Sequence, residues 1–244
     1  MRPIEGQFAV AILAGGIVHT PAGDLDKAFI RVEGETLAER LVRVWREAGR
    51  AERLFVVGPP EARELPGLQG VDFVPRGADI AANLRLAVDW MQGAPHAALC
   101  GVDVPRVTAA TIARFCAMIP DDCDVGYPVA RREALEAMYP DVRWTYVKLR
   151  DGELTGGTIA YVRPEALQRI FDTLLGFFDV RKSTLALARL LGMRVMARYV
   201  LGRLTVADIV ARAQQITGVR LAVLMDAPPE LCIDIDRPSQ VPPQ

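Results

Sequence analysis

Residues 8–16 read Phe8-Ala9-Val10-Ala11-Ile12-Leu13-Ala14-Gly15-Gly16. Six apolar residues in a row leave no polar face for water, so the segment is expected as a strand buried on both sides. Ala14-Gly15-Gly16 then lets the chain turn sharply. The same alternation of apolar runs and amphipathic stretches continues outward. Leu54–Gly58 is a second strand, Val71–Val74 a third, Ala97–Val102 a fourth and Asp124–Val129 a fifth. Between them, 36–48, 79–91 and 108–119 carry apolar residues at helical spacing, the first opened by a Thr36/Glu39 capping box. This βαβα rhythm predicts an α/β fold whose mainly parallel sheet is covered by helices on both faces.

The middle of the chain changes character. Trp144–Leu149 alternates, Asp151-Gly152 turns, and Gly157–Val162 is extended again, which predicts an inserted antiparallel hairpin at about 143–163. Helices are expected at 164–175, 183–191 and 205–217, with Gly192 and Gly218 as C-terminal caps. Met193–Leu201 and Arg220–Leu224 read as late strands. No repeat or linker-like break interrupts the pattern. The expected organisation is one domain over 1–238 and a loose tail over 239–244.

Composition removes several classes of function. Of 244 residues 51% are hydrophobic and 24% charged, and the net charge is -1, so there is no general electrostatic drive toward nucleic acid or an anionic membrane. No apolar run reaches the ~18–20 residues that span a bilayer. The first ten residues carry no secretory or transit pattern, and a cytoplasmic protein is expected. Cys100, Cys116, Cys123 and Cys232 make no CxxC, which speaks against a zinc ribbon, and Cys100 and Cys116 lie in apolar segments as buried thiols. With only His19 and His96, a multi-histidine metal site is nearly excluded; His96 reads as a surface residue.

In an open α/β sheet, ligands bind beyond the carboxyl ends of the strands. Three features fall there. Leu13-Ala14-Gly15-Gly16 leads through a loop to Asp26-Lys27, where amides can cradle phosphate oxygens and a lysine adds a point charge. An ordinary βα turn gives the same letters. Asp103, in Asp103-Val104-Pro105 at the end of the fourth strand, can hold a hard cation or simply form a turn. Asp234 and Asp236, in Asp234-Ile235-Asp236-Arg237-Pro238, share a face if extended, and read either as a cation-binding pair or as a solvated acidic end.

Together, LAGG with DKAFIRVEGETLAERLVRVWREA, then GADIAANLRLAV, VDVP and IDIDRP, resemble the MobA-like NTP transferases, the superfamily related to molybdenum-cofactor guanylyltransferase. The resemblance covers about Val10–Pro238. Thr145–Gly157 and the C-terminal motifs look like an uncharacterised bacterial branch of it. It implies a Rossmann-like fold of the glycosyltransferase-A type, a three-layer α/β/α arrangement with a mixed, mostly parallel sheet. It also implies Mg²⁺ as cofactor, an NTP donor (CTP or GTP foremost) and a phosphorylated small-molecule acceptor, in a monomer or homodimer. Carried over, Leu13, Ala14, Gly15 and Gly16 match the nucleotide loop and Lys27 the phosphate-binding lysine. Asn83 falls near the positions that contact the base. Asp103 matches the metal-binding aspartate, and Asp236, with Asp234 as fallback, the second ligand.

The implied activity is Mg²⁺-dependent transfer of NMP to the acceptor with release of pyrophosphate, Lys27 and Asp103 being the catalytic pair. The chain departs from the family between Ile17 and Asp26, where IVHTPAGDLD contains no arginine and family members usually carry Arg-Met-Gly. That departure keeps open a nucleotide-binding regulatory protein without turnover. Strand-end aspartates also admit a glycosyltransferase using a nucleotide sugar. His19 sits where a phosphate contact could fall, Thr158 where an acceptor contact could, and Trp144 could line the acceptor pocket or a dimer contact. The basic pairs Arg131-Arg132 and Arg181-Lys182 read as solvated helix ends.

Overall fold

The computed structural model describes residues 4, 6–21, 23–140, 144–180 and 192–235. Strand β1 (Phe8–Leu13) lies between β6 (Ala51–Gly58) and β8 (Ala97–Gly101), parallel to both. Its side chains alternate between two cores. Phe8, Val10 and Ile12 enter one with α1 (Leu37–Glu47) and α3 (Ala109–Met118), and Ala9 and Ala11 enter the other with α2 (Ile80–Met91) and α5 (Pro164–Val180). Both faces are therefore covered, and the chain forms three layers as expected. Trp45 of α1 is fully buried. Burial of one such large side chain is worth about 1.5–3 kcal/mol.

Among the described residues the main sheet has the order β10-β11-β9-β12-β8-β1-β6-β7, with β13 also beside β9. Here β7 is Asp72–Pro75, β9 Val125–Arg131, β10 Val147–Leu149, β11 Gly152–Gly156, β12 Ile159–Val162 and β13 Leu221–Leu224. From β1 the chain passes first to β6 and β7 on one side, then through α2 to β8 on the other. The order reverses at β1, and the crevice between the ends of β1 and β8 is the place where such sheets bind ligands.

Several expectations change in detail. The hairpin is narrower than 143–163: β10 pairs with β11, whereas β12 leaves it and enters the sheet between β8 and β9. Ile159 and Tyr161 supply the reason, because both are fully buried. The span 17–26, read as a loop, is a small hairpin of β2 (Ile17–Thr20) and β3 (Gly23–Asp26). A second small pair, β4 (Arg31–Val32) and β5 (Glu35–Thr36), precedes α1. Helix α4 (Arg132–Met138) follows β9 unforeseen. Met193–Leu201 is not a strand; Met193–Val200 is helix α6, with buried Val195 and half-buried Arg198 one turn apart on its inner side. Short apolar alternation fits either period, and here Val195 alone of the helix is buried, with Met193, Tyr199 and Val200 exposed. Gly192 therefore stands at the start of a helix instead of ending one. Helix α7 (Val206–Thr217) is capped by Thr205 and ends, as expected, at Gly218, in the left-handed conformation. The helix expected at 183–191, Arg181-Lys182 and the 239–244 tail lie outside the described residues.

Two packing constraints hold the sheet around the crevice. Gly101 ends β8 beneath Thr158, and a Cβ there would lie 2.3 Å from Thr158 Cγ2 and 2.9 Å from Asp103 Oδ1. At the far end of β9, Asp124 is buried and accepts from the Arg220 backbone N–H at 2.8 Å and from the Arg220 guanidinium, with Arg163 also close. Asp124 thus ties β9 to the start of β13 and the end of β12.

Gly101→Ala is expected to lower the melting temperature by several degrees, and adding Thr158→Ser, which removes Cγ2, to restore part of it; thermal melts of the two single variants and the double variant check the coupling. A second outcome concerns pH. Burial pushes the Asp124 carboxyl up, but hydrogen bonds from Arg220 and the charges of Arg220 and Arg163 outweigh it and hold the carboxyl below its ordinary value. A depressed folded-state pKa gives stability that is complete above the unfolded value of about 3.9 and is lost as pH falls through the lower folded value. Asp124→Asn is expected to cost about 1–3 kcal/mol at neutral pH and to flatten the acid limb of a stability–pH curve.

Candidate active site

The crevice is built from four segments. The first is the turn after β1. Ala14 is fully buried, with its N–H bonded to Val57 O and its methyl against Gly58, so it supports the turn from beneath. Leu13 is half-buried and its carbonyl accepts from Val102 N–H. Gly15 and Gly16 are the accessible part of the turn, and among the described residues their N–H groups make no hydrogen bond. Both glycines have close neighbours. A Cβ on Gly15 would lie 2.9 Å from Asn83 Nδ2, and one on Gly16 3.1 Å from Lys27 Cδ.

The second segment returns from the β2–β3 hairpin. A single helical turn over Lys27–Phe29 begins with the Lys27 N–H on Gly16 O at 2.9 Å, which aims the lysine across the crevice. Its Nζ lies 2.6 Å from Asp103 Oδ2, with both side chains largely buried at 10% and 14% exposure. Asp103 follows β8, the third segment. Sequence reasoning placed both residues at the crevice, and the fold brings them together across 76 positions.

The fourth segment is the C-terminal stretch after β13. Thr158 N–H donates to Leu231 O, and Ile235 N–H donates to Asp103 O at 3.1 Å. Ile233 and Ile235 are buried with Asp234 half-buried between them, the alternation expected of an extended segment. Asp234 thus stands one residue from the main chain of Asp103. Its charge also acts on Tyr127, whose hydroxyl is pushed up first by burial and then by Cys232 and Asp234. Asp236 lies outside the described residues. Among those described, no three His, Cys, Asp or Glu residues converge as a metal cage. One or two carboxylates at a phosphate site nevertheless suit a hard cation that keeps waters and takes substrate oxygens, so Asp103 with Asp234 fits a divalent ion.

Asn83 is buried, and its Oδ1 accepts from Gly77 N–H at 2.7 Å. It fixes the turn into α2 while its Nδ2 sits by Gly15. Next to it is a residue that the sequence reading passed over. Arg76 follows β7, its N–H on Gly58 O at 2.8 Å, and its guanidinium bonds Asp26 and the Gly15 carbonyl. The signal was positional: Pro75-Arg76-Gly77 closes a strand at the edge where ligands bind. His19 instead points away, pairing with Asp24 at 2.7 Å on the exposed hairpin. His96 is half-buried rather than a surface group. Its Nδ1 contacts Tyr161 Oη at 2.9 Å, and desolvation first and then Arg163 push its pKa down. Trp144 stacks edge-on against Tyr139. All four cysteines are buried and free of disulfides.

The family model of the MobA-like NTP transferase domain matches residues 10–172. A protein of Opitutus terrae, named a probable molybdenum cofactor guanylyltransferase, is 41% identical over 106 residues, which are 42% of this chain and 51% of that protein. The alignment thus spans about half the length of that relative. A structure from Thermus thermophilus, described as a hypothetical transferase, superposes with a TM-score of 0.83 at 27% identity, covering 97% of this chain and all of the other. A second structure from the same organism, of 2-C-methyl-D-erythritol 4-phosphate cytidylyltransferase, has a TM-score of 0.58 at 19% identity over 96% and 95% of the chains, a likeness of fold alone. With most of its length under the family model and the loop, Lys27 and Asp103 at one crevice, the chain belongs to the MobA-like NTP transferase domain family.

Proposed function

We propose that this chain transfers the NMP of an NTP, CTP or GTP, to a phosphorylated small-molecule acceptor, releasing pyrophosphate. The observation that carries the reading is the Lys27–Asp103 pair at the mouth of a turn whose Gly15 and Gly16 amides are unclaimed by the described residues. An ammonium and two free N–H groups are what a polyphosphate binds, and a carboxylate beside them is what a cation accompanying that polyphosphate needs.

Asp103, Asp234 and Asp236 are the residues that would hold Mg²⁺, which when bound supplies charge neutralisation and orientation of the phosphates. The protein's own part is positioning. The Gly15 and Gly16 amides and Lys27 offset negative charge on the departing pyrophosphate. Asn83 sets the turn on which the base rests. An acceptor phosphate is already anionic, so no strong general base is required, which agrees with histidines that sit elsewhere. The Lys27–Asp103 contact must loosen as the nucleotide arrives, the lysine going to phosphate and the carboxylate to the cation.

Nucleotide binding without turnover drew on the arginine-free span 17–26. Arg76 beside Gly15 weakens that argument, because a guanidinium reaches the loop from another strand. Among the described residues no helix is long and apolar enough to cross a membrane, which agrees with a cytoplasmic enzyme.

Pyrophosphate release by purified protein with Mg²⁺, each NTP and a panel of sugar phosphates, polyol phosphates and pterins tests the reading. Release with at least one pair is expected. Absence of NTP binding in calorimetry overturns it, and binding without release favours the regulatory alternative. Asp103→Asn and Lys27→Met are each expected to lower kcat/KM by about 10²–10³. Asp103→Asn should in addition abolish the effect of Mg²⁺ on NTP affinity; a variant that keeps full turnover and metal dependence removes Asp103 from the site.

A further inference from the structure

The site holds two ion pairs on neighbouring residues. Lys27 reaches forward to Asp103, and Asp26 reaches the other way to Arg76. Between them lies the Gly15-Gly16 turn, with Arg76 on the Gly15 carbonyl and Lys27 N–H on the Gly16 carbonyl. Both contacts of Arg76 are made by Nη1. Among the described residues its Nη2 and Nε have no partner. A guanidinium carries five N–H donors in a planar fork matched to two oxygens of one phosphate. The Arg76 and Asp26 side chains are about a quarter exposed, and Arg76 Cδ would lie 3.3 Å from a Cβ on Gly15, so the guanidinium is partly open to solvent beside the turn. Stability alone explains little of this arrangement, since partly exposed pairs contribute about 0–1 kcal/mol.

We propose that Arg76 is a nucleotide-binding residue whose free guanidinium donors take triphosphate oxygens at the Gly15-Gly16 turn, with Asp26 as the counter-ion that attenuates it in the free protein. The assignment rests on the nucleotidyl-transfer reading and adds a residue to it. Lys27 serves the Gly16 and Asp103 side of the turn, and Arg76 the Gly15 and Asn83 side. The triphosphate is then held from both flanks by cations of different geometry, a point charge and a fork.

The two partners of this pair predict opposite signs. Removing the guanidinium deprives the phosphate of a ligand. Removing the Asp26 charge takes away a competitor and a repulsive neighbour. A purely structural pair, pinning the β2–β3 hairpin to the turn, predicts the same sign for both, because either change releases the pin.

The experiment is calorimetric titration of the wild type, Arg76→Ala, Arg76→Lys and Asp26→Asn with GTP or CTP and Mg²⁺, with the matching nucleoside as a second probe. Thermal melts of each free variant verify folding. Arg76→Ala is expected to weaken NTP binding by about ten- to a hundredfold, from the loss of a charge-assisted hydrogen bond. Arg76→Lys should recover part of it, and Asp26→Asn should tighten it severalfold. The nucleoside should bind all four alike. Loss of affinity in both Arg76→Ala and Asp26→Asn, or an equal loss for the nucleoside, overturns the role of Arg76 and leaves the nucleotidyl-transfer reading standing. A wild type that binds no NTP overturns both.

Discussion

A lysine and an aspartate at 2.6 Å, their side chains only 10% and 14% exposed, are the interaction to which the rest of the site is fitted. Neither charge tolerates that burial alone; stranding one member of a buried pair typically costs about 3–5 kcal/mol. The geometry around them follows from that cost. Lys27 is reached only because the β2–β3 hairpin brings the chain back to Gly16, where the Lys27 N–H is bonded before the side chain extends. Asp103 is reached because β8 ends at Gly101, and just past it Val102 N–H bonds Leu13 O and locks the two strand ends in register. A site of this kind is poised. On the nucleotidyl-transfer reading proposed above, the stability of the pair without ligand is traded for contacts with phosphate and cation when both arrive, which couples the two ligands without any moving domain.

The absence of side chains does as much as their presence. Gly15, Gly16 and Gly101 each have a neighbour where a Cβ would sit: the Asn83 amide, the Lys27 stem and the Thr158 methyl with the Asp103 carboxylate. Their backbone dihedrals are not what demands glycine, since none of the three has positive φ. At Gly15 and Gly101 close approach does. The turn packs so tightly on the residues that serve it that its amides are left as its exposed polar surface, the condition for a backbone anion site.

How much of this was legible in the sequence follows from the range of each signal. FAVAIL announced a strand buried on both faces because six apolar residues leave no polar face for water and run straight into a Gly-Gly turn, and Thr36/Glu39 announced a helix start because capping is local. Lys27 and Asp103 were legible as strand-end residues of the right chemistry. Arg76 was not, although it too ends a strand. Its role depends on which strand lies beside β6 and on Asp26 arriving from a hairpin that the sequence presents as a loop. The division of 144–162 into β10, β11 and β12 was equally hidden, because sheet order is decided by which apolar residues find the interior. Met193–Val200 shows the opposite failure, a local pattern compatible with two periods that takes the helical one with Val195 alone buried.

The most distant contribution to the site is made by Asp124. It lies at the amino end of β9, away from the crevice, yet its bonds to Arg220 set where β13 begins. From there the chain runs beside β9 for four residues, turns at Asp226, and lays Leu231 and Ile235 on Thr158 and Asp103. Ala227 N–H on Val129 O, Thr158 N–H on Leu231 O and Ile235 N–H on Asp103 O are successive anchors of one strap. Each anchor is a backbone bond, so the strap's path is insensitive to most side-chain changes along it, and the carboxylates it carries can be placed without a dedicated helix or strand. The buried Ile233 and Ile235 hold the strap down and leave half-buried Asp234 between them, one residue from the anchor on Asp103. A charged knot at one end of the sheet thereby sets the register of a carboxylate at the other, through hydrogen bonds whose donors and acceptors would otherwise be buried unpaired.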